Sequence, residues 1–319
     1  MPQPILSIVI ANYNYGRFLE EAIQSVIAQD MGDQVELIIC DAASNDNSVD
    51  IIKKYANGLP QNVNCSDWTS SSNHNSQTPP LITWWCSEPD GGQSAAFNKG
   101  FSHARGRFLT WLNADDVMLP STVRRLKAAA EMHPACEWFA GGVIWLDPSL
   151  HVFKCGRVRR MSGCRARHGI VNVCGPSSFF SKNLFDKVGG VDERYQYTMD
   201  SDLWLRFAIA QGAMFKPFTE YAWGLRLHPD AKMSGHKFSS DGKILDGNDS
   251  QDAFLKNIQR QQQLCRERDW TLEKLGRNES PMNRVMRAFT ADYIPAVLSR
   301  VDTWRYRGRL LSDVIAQVN

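Results

Sequence analysis

The stretch ILSIVIA, at residues 5–11, is a continuous run rich in β-branched side chains. Such a run predicts a strand that is buried on both faces, as the strands of a parallel sheet are. The next segment repeats its apolar residues at i, i+4, i+7 and i+8, which predicts a helix over residues 17–29. The chain therefore opens with a strand followed by a helix.

The same alternation continues along the chain. Further strands are predicted at residues 35–42, 81–88 and 106–113, and further helices at residues 45–56 and 92–104. Strands that alternate with helices predict an α/β fold with a doubly wound sheet, in which a ligand binds at the carboxyl ends of the strands. Residues at those ends are the first candidates for a functional site.

Beyond Pro120 the order of the predicted elements changes. Helices are predicted at residues 121–132 and 200–211, and strand-like segments at residues 137–146 and 171–180. The polar interval 57–80 predicts a surface insertion, with a lid over the site as the alternative. Residues 236–252 are loop-like, and the pattern after them is helical. The predicted domains are an α/β domain at 1–235 and a loop with a C-terminal helical extension at 236–319.

Composition argues against several classes of protein. Among 319 residues, 36 are Lys or Arg and 34 are Asp or Glu, so the net charge of +2 gives no field that would attract nucleic acid. The eight cysteines form no CxxC pair, which favours reduced thiols in a cytosolic protein over a disulfide framework. No basic stretch precedes the short N-terminal apolar run, and no later run approaches a membrane span. A cytoplasmic location is therefore expected.

The first turn between strand and helix, ANYNYGRF at residues 11–18, lacks the G-x-G-x-x-G pattern that binds a dinucleotide. This difference argues against a dehydrogenase. The turn offers instead Tyr13, which could stack on a base, and Asn12, whose amide could hydrogen-bond to it. Turn formation is the commoner role of asparagine, and both interpretations stay open here.

Polar residues also follow the second and third predicted strands. Asp41 could accept a hydrogen bond from a ribose hydroxyl or a base N–H, or it could cap the next helix, and its position fits both roles. After the third strand, Asp90 and Gly92 predict a tight turn that would allow a ligand close to the backbone. A lysine one turn into the next helix could meet a phosphate, although a plain loop would need no such group. The residues that open or line this helix are Gln93, Asn98 and Lys99.

The fourth predicted strand runs into TWLNADDVMLP, residues 110–120, where two adjacent carboxylates follow an asparagine. Mg2+ and Mn2+ prefer oxygen ligands, and a nucleotide-bound cation is usually held by one or two carboxylates together with phosphate oxygens. Asp115 and Asp116 suit such a cation. Taken alone, however, the tetrapeptide NADD is more typical of an Asx turn that caps the next helix.

A second acidic cluster, YTMDSDLWLRFA at residues 197–208, places Asp200 and Asp202 at the start of a predicted helix. The helix dipole favours acidic residues there, so capping is their ordinary role. The functional alternative is a general base that takes a proton from an attacking hydroxyl. The later segment WGLRLHPDAKMSGHK could complete a metal shell or cover a pyrophosphate, although a lone histidine is more often structural. Its candidate residues are Arg226, His228, Lys232 and Ser234.

In their order along the chain, these segments resemble the family 2 glycosyltransferases of the GT-A fold. The resemblance is carried by SIVIANYNYGRFLEEAIQSVIAQ, ELIICDAASNDNS, SEPDGGQSAAFNKGFSHARGRFLTWLNADD and MDSDLWLR, and it extends over residues 5–235. It implies that the domain at 1–235 is a GT-A glycosyltransferase domain, with a Rossmann-like mixed sheet flanked by helices. It also implies transfer of a sugar from a nucleotide-sugar donor to a glycan or lipid-linked acceptor, in the biosynthesis of a bacterial-type surface polysaccharide or glycolipid.

The resemblance also assigns roles to individual residues. The nucleotide sugar, with a UDP-sugar as the expected donor, would be bound by Ala11, Asn12, Tyr13, Asp41, Asp90, Gly92, Gln93, Asn98, Lys99 and the DxD-like residues Asn113, Ala114 and Asp115. A divalent cation, Mn2+ or Mg2+, would be held by Asp115, Asp116 and His228. The segment RLHPDAKMS would reach the diphosphate or the acceptor through Arg226, Lys232 and Ser234.

The resemblance also implies an inverting transfer. Asp200 would act as the general base on the acceptor hydroxyl, while the cation stabilises the departing nucleoside diphosphate. The chain departs from the family pattern at two positions. Asn113 replaces the first Asp of the DxD motif, and Met199 replaces the Glu of an ED pair, so Asp202 is a second candidate for the base.

Alternatives stay open for the activity and for the acceptor. The chain could be a nucleotide-sugar-binding relative without turnover or, with less support, a sugar nucleotidyltransferase, which would need a Gly-rich, basic first turn. The arginine-rich segment 156–169 could face a lipid-linked diphosphate or the inner face of the membrane, with a solvated loop as an equal alternative. For the helical C-terminus, packing on the catalytic domain is favoured over an interfacial helix.

Overall fold

The computed structural model describes residues 3–63, 82–158, 175–231 and 293–318, together with isolated positions between these ranges. The greater part of the predicted insertion at 57–80 and of the arginine-rich segment at 156–169 lies outside the described residues, as do Lys232 and Ser234. What the sequence predicts for those residues stays a prediction.

The first half of the fold alternates strands and helices, as predicted. The elements are β1 (Leu6–Asn12), α1 (Gly16–Ile27), β2 (Val35–Asp41), α2 (Ser48–Ala56), β3 (Ile82–Ser87), α3 (Gln93–Ser102) and β4 (Phe108–Asn113). β1 pairs in parallel with β2 and with β4, and β2 pairs in parallel with β3. The carboxyl ends of these strands therefore share one edge of the sheet.

The second half makes the sheet mixed. Its elements are β5 (Val117–Met118), α4 (Thr122–Met132), β6 (Trp138–Leu146), β7 (Val152–Gly156), β8 (Ser178–Ser181), α5 (Lys182–Lys187), α6 (Met199–Ala210) and β9 (Lys216–Arg226). β8 runs antiparallel to β4 and β6, while β6 and β9 are parallel. Within the described ranges the strand order is β3-β2-β1-β4-β8-β6-β9-β5, with β7 beside β6. The predicted α/β fold, a mixed sheet flanked by helices, is confirmed.

β9 has no counterpart among the predicted strands. Its first residues, KPFTE, are exposed or half-buried and include a proline and two charged side chains, so they lack the apolar pattern of a buried strand. Two further short strands, β10 (Lys237–Phe238) and β11 (Ile244–Leu245), pair antiparallel in a region predicted as loop. The short strands β5 and β7 were not predicted either, so all of these differences lie after β4, where the regular alternation of strands and helices has ended.

Helices cover both faces of the sheet, because successive residues of a strand point to opposite sides. Ile8 of β1 belongs to one core together with Leu19 of α1. The next residue, Val9, belongs to a second core together with Phe97 of α3. A Cβ at Gly100 would lie 2.4 Å from Cγ1 of Val9, so glycine allows α3 to approach β1 this closely. Burial of each such aliphatic side chain contributes about 1.5–3 kcal/mol.

An aromatic cluster connects β4 to α6. The rings of Trp111 and Trp204 are stacked, with centroids 5.4 Å apart and an interplanar angle of 2°. Trp138 of β6 lies 5.4 Å from Trp204, and all three side chains are buried. Aromatic contacts of this kind add about 0.5–1.5 kcal/mol to the effect of burial. The cluster therefore fixes α6 against the strand that ends in Asn113.

The C-terminal helices α7 (Tyr293–Tyr306) and α8 (Leu311–Val318) pack on β6 and β7. The buried carboxylate of Asp302 accepts hydrogen bonds from Nε of Arg157, at 2.7 Å, and from the hydroxyl of Tyr221. The described residues thus show the packing that the sequence favours for this part of the chain. Over the same residues, no helix is both long enough and apolar enough to cross a membrane.

Candidate active site

The strand ends bring together residues that come from separate segments of the sequence. Asn12 lies opposite Asp41 across β1 and β2, and Ala11 lies opposite Asn113 across β1 and β4. Asp41 in turn lies opposite Ser87 of β3. These residues therefore meet at one edge of the sheet, where the sequence predicts the site.

The carboxylate of Asp41 is the centre of a hydrogen-bond network at this edge. Its Oδ1 accepts from Nδ2 of Asn12 at 2.7 Å and from the hydroxyl of Ser44 at 2.5 Å. Its Oδ2 accepts from the hydroxyl of Ser87 at 2.6 Å and from the N–H of Ser44 at 3.0 Å. Asp41 is buried and joins the ends of three strands. A contact from Asp41 to a base or a ribose would therefore replace one of these bonds.

Tyr13 lies at the rim of this edge, with 59% of the residue exposed. The following residue, Asn14, has a φ of +56°, and its N–H donates to the hydroxyl of Ser44 at 2.8 Å. Oδ1 of Asn14 accepts from the N–H of Asn45 at 2.9 Å. The turn after β1 is thus fixed by the turn after β2, and the Tyr13 ring is accessible to a ligand.

The turn before α3 has the tight geometry that the sequence predicts. Gly92 has a φ of +104°, a value that favours glycine, and its N–H donates to Oδ1 of Asp90 at 2.8 Å. Nε2 of Gln93, the first residue of α3, donates to Oδ1 of Asn113 at 3.1 Å. The start of α3 therefore lies beside the end of β4.

Asn98 and Lys99, which lie further along α3, bind protein groups instead of facing the strand ends. The side chain of Asn98 exchanges hydrogen bonds with the carbonyl and the N–H of Val191, at 2.8 and 2.9 Å, and also donates to Glu193. Lys99 forms an ion pair with Glu88 at 2.8 Å, and this hydrogen bond raises the pKa of the lysine. Asn98 thus anchors the loop before α6, and its predicted contact with the donor stays a prediction. Lys99 would have to leave Glu88 to reach a phosphate.

Asp116, the second of the two adjacent carboxylates after β4, is hydrogen-bonded within the protein. Asp116 is buried; its Oδ1 accepts from the N–H of Arg226 at 2.8 Å, and its Oδ2 accepts from Nδ2 of Asn113 at 2.7 Å. Burial and the neighbouring charge of Asp115 raise the pKa of Asp116 well above its usual value. Asp116 therefore connects the turn after β4 to β9. Both of its oxygens already accept hydrogen bonds from the protein, which favours a structural role, and its role as a metal ligand stays a prediction.

The first of these carboxylates faces a histidine. Oδ2 of Asp115 lies 3.0 Å from Nε2 of His228. The His228 ring is buried against Phe18 and Tyr15, with ring centroids 4.7 and 5.6 Å away. Ala114, between Asn113 and Asp115, is buried. Its side chain is a methyl group, so it contributes no polar atom to the site. The aspartate and the histidine thus form a close polar pair.

The residues present fit the predicted cation in part. Asp115 offers a carboxylate oxygen and His228 an imidazole nitrogen, and both kinds of atom occur among the ligands of divalent cations. Asn113 is less suited, because its Oδ1 already accepts from Gln93. Considering only the residues that the structure describes, no group of three or more His, Cys, Asp or Glu side chains could hold a metal ion. Asp115 and His228 are the side chains that would hold one.

The segment after β9 lies on the first turn of α1. Asp230 forms an ion pair with Arg17, and the carbonyl oxygen of Asp230 accepts from the hydroxyl of Tyr15 at 2.9 Å. Burial, with the nearby charges of Asp115 and Asp230, raises the pKa of Tyr15 to about 12. Residues 226–231, the described part of the predicted closing segment, are therefore attached to α1.

Arg226 points into this interface. Its guanidinium forms an ion pair with Glu21 of α1 and lies over the ring of Phe18, 4.7 Å from the centroid. The residue is buried. Arg226 thus attaches the end of β9 to α1, and its predicted contact with a diphosphate or an acceptor stays a prediction.

Asp200 and Asp202 have different surroundings as well. Asp200 is half-buried on the first turn of α6, and its Oδ1 accepts from the N–H of Ser201 at 2.7 Å. Asp202 is fully buried and forms an ion pair with Arg206 at 2.8 Å. This burial favours Asp200 over Asp202 as the base, and the role of Asp202 as the second candidate stays a prediction. Asp200 stays the predicted base.

The first turns of α6 and α3 lie side by side. Oγ of Ser94 lies 3.0 Å from the carbonyl oxygen of Tyr195 and 3.0 Å from Sδ of Met199. Met199 is buried, so the position where the family pattern has a charged Glu is part of the core here. Because Gln93 precedes Ser94 and Asp200 follows Met199, this contact brings two predicted site residues to the same end of the molecule.

Some residues at the site received no role from the sequence: Ser44, Ser87, Tyr15 and Glu267. Ser44 follows β2 closely and Ser87 is the last residue of β3, and a hydroxyl at or just after a strand end is a local signal that could have found them. The hydroxyl of Tyr15 contacts a residue 215 positions away in the chain. Glu267 contacts the backbone of residues 196–198. Local pattern and spacing carry no signal for such distant contacts.

The class of protein is established by comparison with protein families. The family model described as Glycosyl transferase family 2 matches residues 7–189, more than half of the chain. The chain belongs to glycosyl transferase family 2. The resemblance inferred from the sequence is thereby confirmed. The match includes the strand ends and Asp115, while His228 and Asp200 lie beyond it.

Individual proteins are similar over parts of their length. An uncharacterised glycosyltransferase of Nostoc sp. is 35% identical over 121 residues, which cover 38% of this chain and 31% of that protein. An uncharacterised glycosyltransferase of Rickettsia prowazekii is 24% identical over 213 residues, which cover 64% of this chain and 58% of that protein. The chain thus spans less than two thirds of either relative. A mannosyltransferase from Pyrobaculum calidifontis, in complex with GDP-Man and Mn2+, has a TM-score of 0.49 at 15% identity, covering 95% of this chain and 80% of that one.

Proposed function

We propose that the protein transfers a sugar from a nucleotide-sugar donor to an acceptor hydroxyl, with inversion at the anomeric carbon. The observation that carries the proposal is the close pair of Asp115 and His228 beside the strand ends that hold Asn12 and Asp41. Membership of glycosyl transferase family 2 supports the class of reaction. Asp200 is half-buried, whereas Asp202 is buried in an ion pair, and this difference supports Asp200 as the base.

The strand ends would bind the donor. Tyr13 offers an exposed ring on which a base could stack, and Gly92 lets the backbone before α3 approach the sugar. Asp115 and His228 would hold Mn2+ or Mg2+, which when bound supplies positive charge opposite the diphosphate. A UDP-sugar is the donor to test first.

Asp200 would act on the acceptor. Its carboxylate takes the proton of the acceptor hydroxyl as that oxygen forms a bond to the anomeric carbon. The bond from this carbon to the diphosphate oxygen breaks, and the nucleoside diphosphate leaves with the electron pair. Attack from the face opposite the leaving group inverts the configuration. A positioned base of this kind accelerates a reaction by about 10²–10⁴-fold.

The acceptor that we propose is a glycan or a lipid-linked glycan, on the cytoplasmic side of a membrane where a surface polysaccharide or glycolipid is made. The side of α7 that faces away from the sheet exposes Trp304 between Arg300 and Arg305. Aromatic and basic side chains in this combination are typical of helices that touch a membrane surface. They support peripheral association of the protein with its acceptor.

Release of nucleoside diphosphate tests the proposal. With Mn2+ and an acceptor, at least one of a panel of UDP- and GDP-sugars should yield the nucleoside diphosphate. Asp200→Asn should lower this rate by roughly 100-fold or more, while nucleoside diphosphate still stabilises the variant in the presence of Mn2+. Full activity of the variant would overturn the assignment of the base.

Other products would favour the alternative functions. Pyrophosphate in place of nucleoside diphosphate would identify a sugar nucleotidyltransferase. Thermal stabilisation by a nucleoside diphosphate, without release from any donor over a broad set of acceptors, would identify a binding protein that has no turnover.

A further inference from the structure

Glu267, in the C-terminal part of the chain, binds the backbone that directly precedes α6. Its Oε1 accepts from the N–H of Gln196 at 2.8 Å, and its Oε2 accepts from the N–H of Thr198 at 2.7 Å. The N–H of Tyr197 lies between the two oxygens, at 3.3 and 3.0 Å. Three consecutive backbone N–H groups therefore converge on one carboxylate.

Side chains complete this arrangement. Thr198, at the N-cap of α6, makes no side-chain cap; its hydroxyl donates instead to Oε2 of Glu267 at 2.9 Å. Nε2 of Gln263 donates to Oε1 at 3.0 Å. Although burial alone would raise the pKa of Glu267, these hydrogen bonds hold that pKa below its usual value. The carboxylate is therefore bound in its charged form.

A second contact connects the same two segments. The ring of Trp270 lies edge-on to the ring of Tyr195, with centroids 5.9 Å apart. The guanidinium of Arg194 lies over Trp270, 6.0 Å from the ring centroid. Described residues of the C-terminal part thus contact each residue from 194 to 198, immediately before the first turn of α6.

We infer that Glu267 is a positioning residue for Asp200. Asp200 follows Thr198 by two residues, so the direction of its carboxylate depends on the backbone that Glu267 holds. The inference rests on the proposed function, because it requires that Asp200 is the base. A displacement of about 1 Å in a reacting group can lower a rate by roughly 100-fold. The donor, in contrast, would be bound at the strand ends.

Loss of Glu267 should therefore lower kcat and leave the binding of the donor intact. Glu267→Ala is expected to lower kcat by roughly tenfold or more, with the KM for the donor within about twofold of wild type. Glu267→Gln should behave similarly, because both oxygens accept from backbone N–H groups and an amide NH2 cannot accept a hydrogen bond. Formate should restore part of kcat in Glu267→Ala, whereas formamide, which is similar in size but uncharged, should not.

Asp302 provides a matched control, because it is another buried carboxylate of the C-terminal part. It binds Arg157 and Tyr221 on the sheet and makes no described contact with residues 194–198. Asp302→Ala is expected to lower the Tm, with kcat within about twofold of wild type at a temperature where the variant is folded. A purely structural role for Glu267 would give the same result for both carboxylates.

Turnover of the wild type separates the two hypotheses. If no donor is turned over, the proposed function fails and this inference fails with it. If the wild type is active, the inference is overturned when Glu267→Ala retains kcat or when Asp302→Ala loses as much kcat. Should Glu267→Ala not fold, Thr198→Val removes one donor to the carboxylate and should lower kcat by about threefold at unchanged KM. An unchanged kcat in Thr198→Val would then overturn it.

Discussion

The two acidic pairs of the candidate site show the same internal difference between their carboxylates. In the first pair, Asp116 is buried and bound to the N–H of Arg226, whereas Asp115 faces His228. In the second pair, Asp202 is buried in an ion pair, whereas Asp200 is half-buried on the first turn of α6. One carboxylate of each pair thus stabilises the fold, and the other can meet a ligand.

Backbone geometry explains this difference. An α-helix turns by about 100° per residue, so residues two apart, such as Asp200 and Asp202, point to nearly opposite sides. In the turn after β4, Asp115 and Asp116 are successive residues and also point in different directions. Carboxylates that lie close together in a motif should therefore be assigned roles one at a time.

The largest effect is expected for Asp202→Ala. The substitution leaves the buried guanidinium of Arg206 without its carboxylate, and removal of one partner of a buried ion pair costs about 3–5 kcal/mol. Urea unfolding measures this loss. The double variant Asp202→Leu with Arg206→Met should recover part of it, because no buried charge is left unpaired. A loss below about 1 kcal/mol, typical of an exposed pair, would favour Asp202 as a candidate for the base.

A smaller effect, on binding instead of stability, is expected for Asp115→Ala. Its affinity for nucleoside diphosphate in the presence of Mn2+ should fall by roughly tenfold or more, because the cation loses a carboxylate ligand. Titration calorimetry with and without Mn2+ measures the change. Asp116→Asn is the matched control and should keep this affinity within about threefold. An equal loss in both variants would mean that the two carboxylates share one role.

The smallest effect concerns Glu267, a third carboxylate that is bound to the protein. Its folded-state pKa is lowered, so its contribution to stability is present above the unfolded value of 4.5 and is lost as the pH falls through the lower folded value. The Tm of wild type should therefore fall more than that of Glu267→Gln between about pH 6 and about pH 3. Parallel curves for the two proteins would show that Glu267 binds no more strongly when charged.

Much of the first half of the fold could be predicted from the sequence. The runs of β1 and β2 are buried on both faces, so each produces a continuous apolar pattern whose end is marked by Asn12 or Asp41. Parallel pairing then aligns these ends, and the edge of the sheet follows from topology alone. The long strand β9 could not be predicted, because its exposed first half lacks this pattern.

The bonding partners of individual side chains were harder to predict from the sequence. The ion pair of Asp202 with Arg206 has the i, i+4 spacing of a helix, so a signal for it was present in the sequence. The bond from Asp116 to the N–H of Arg226 joins residues 110 positions apart, and no local signal exists for it. The same holds for Glu267 and the backbone before α6. Long-range polar contacts of this kind depend on the assembled fold.

The network around Asp41 bears on the entropy of donor binding. It fixes the ends of β1, β2 and β3 to one another in the folded chain, in the absence of any donor. A nucleotide that docks there does not have to immobilise these side chains, an ordering step that would weaken binding by about 0.5–1.5 kcal/mol for each of them. Because these side chains become ordered during folding, part of the affinity for the donor depends on the stability of the sheet.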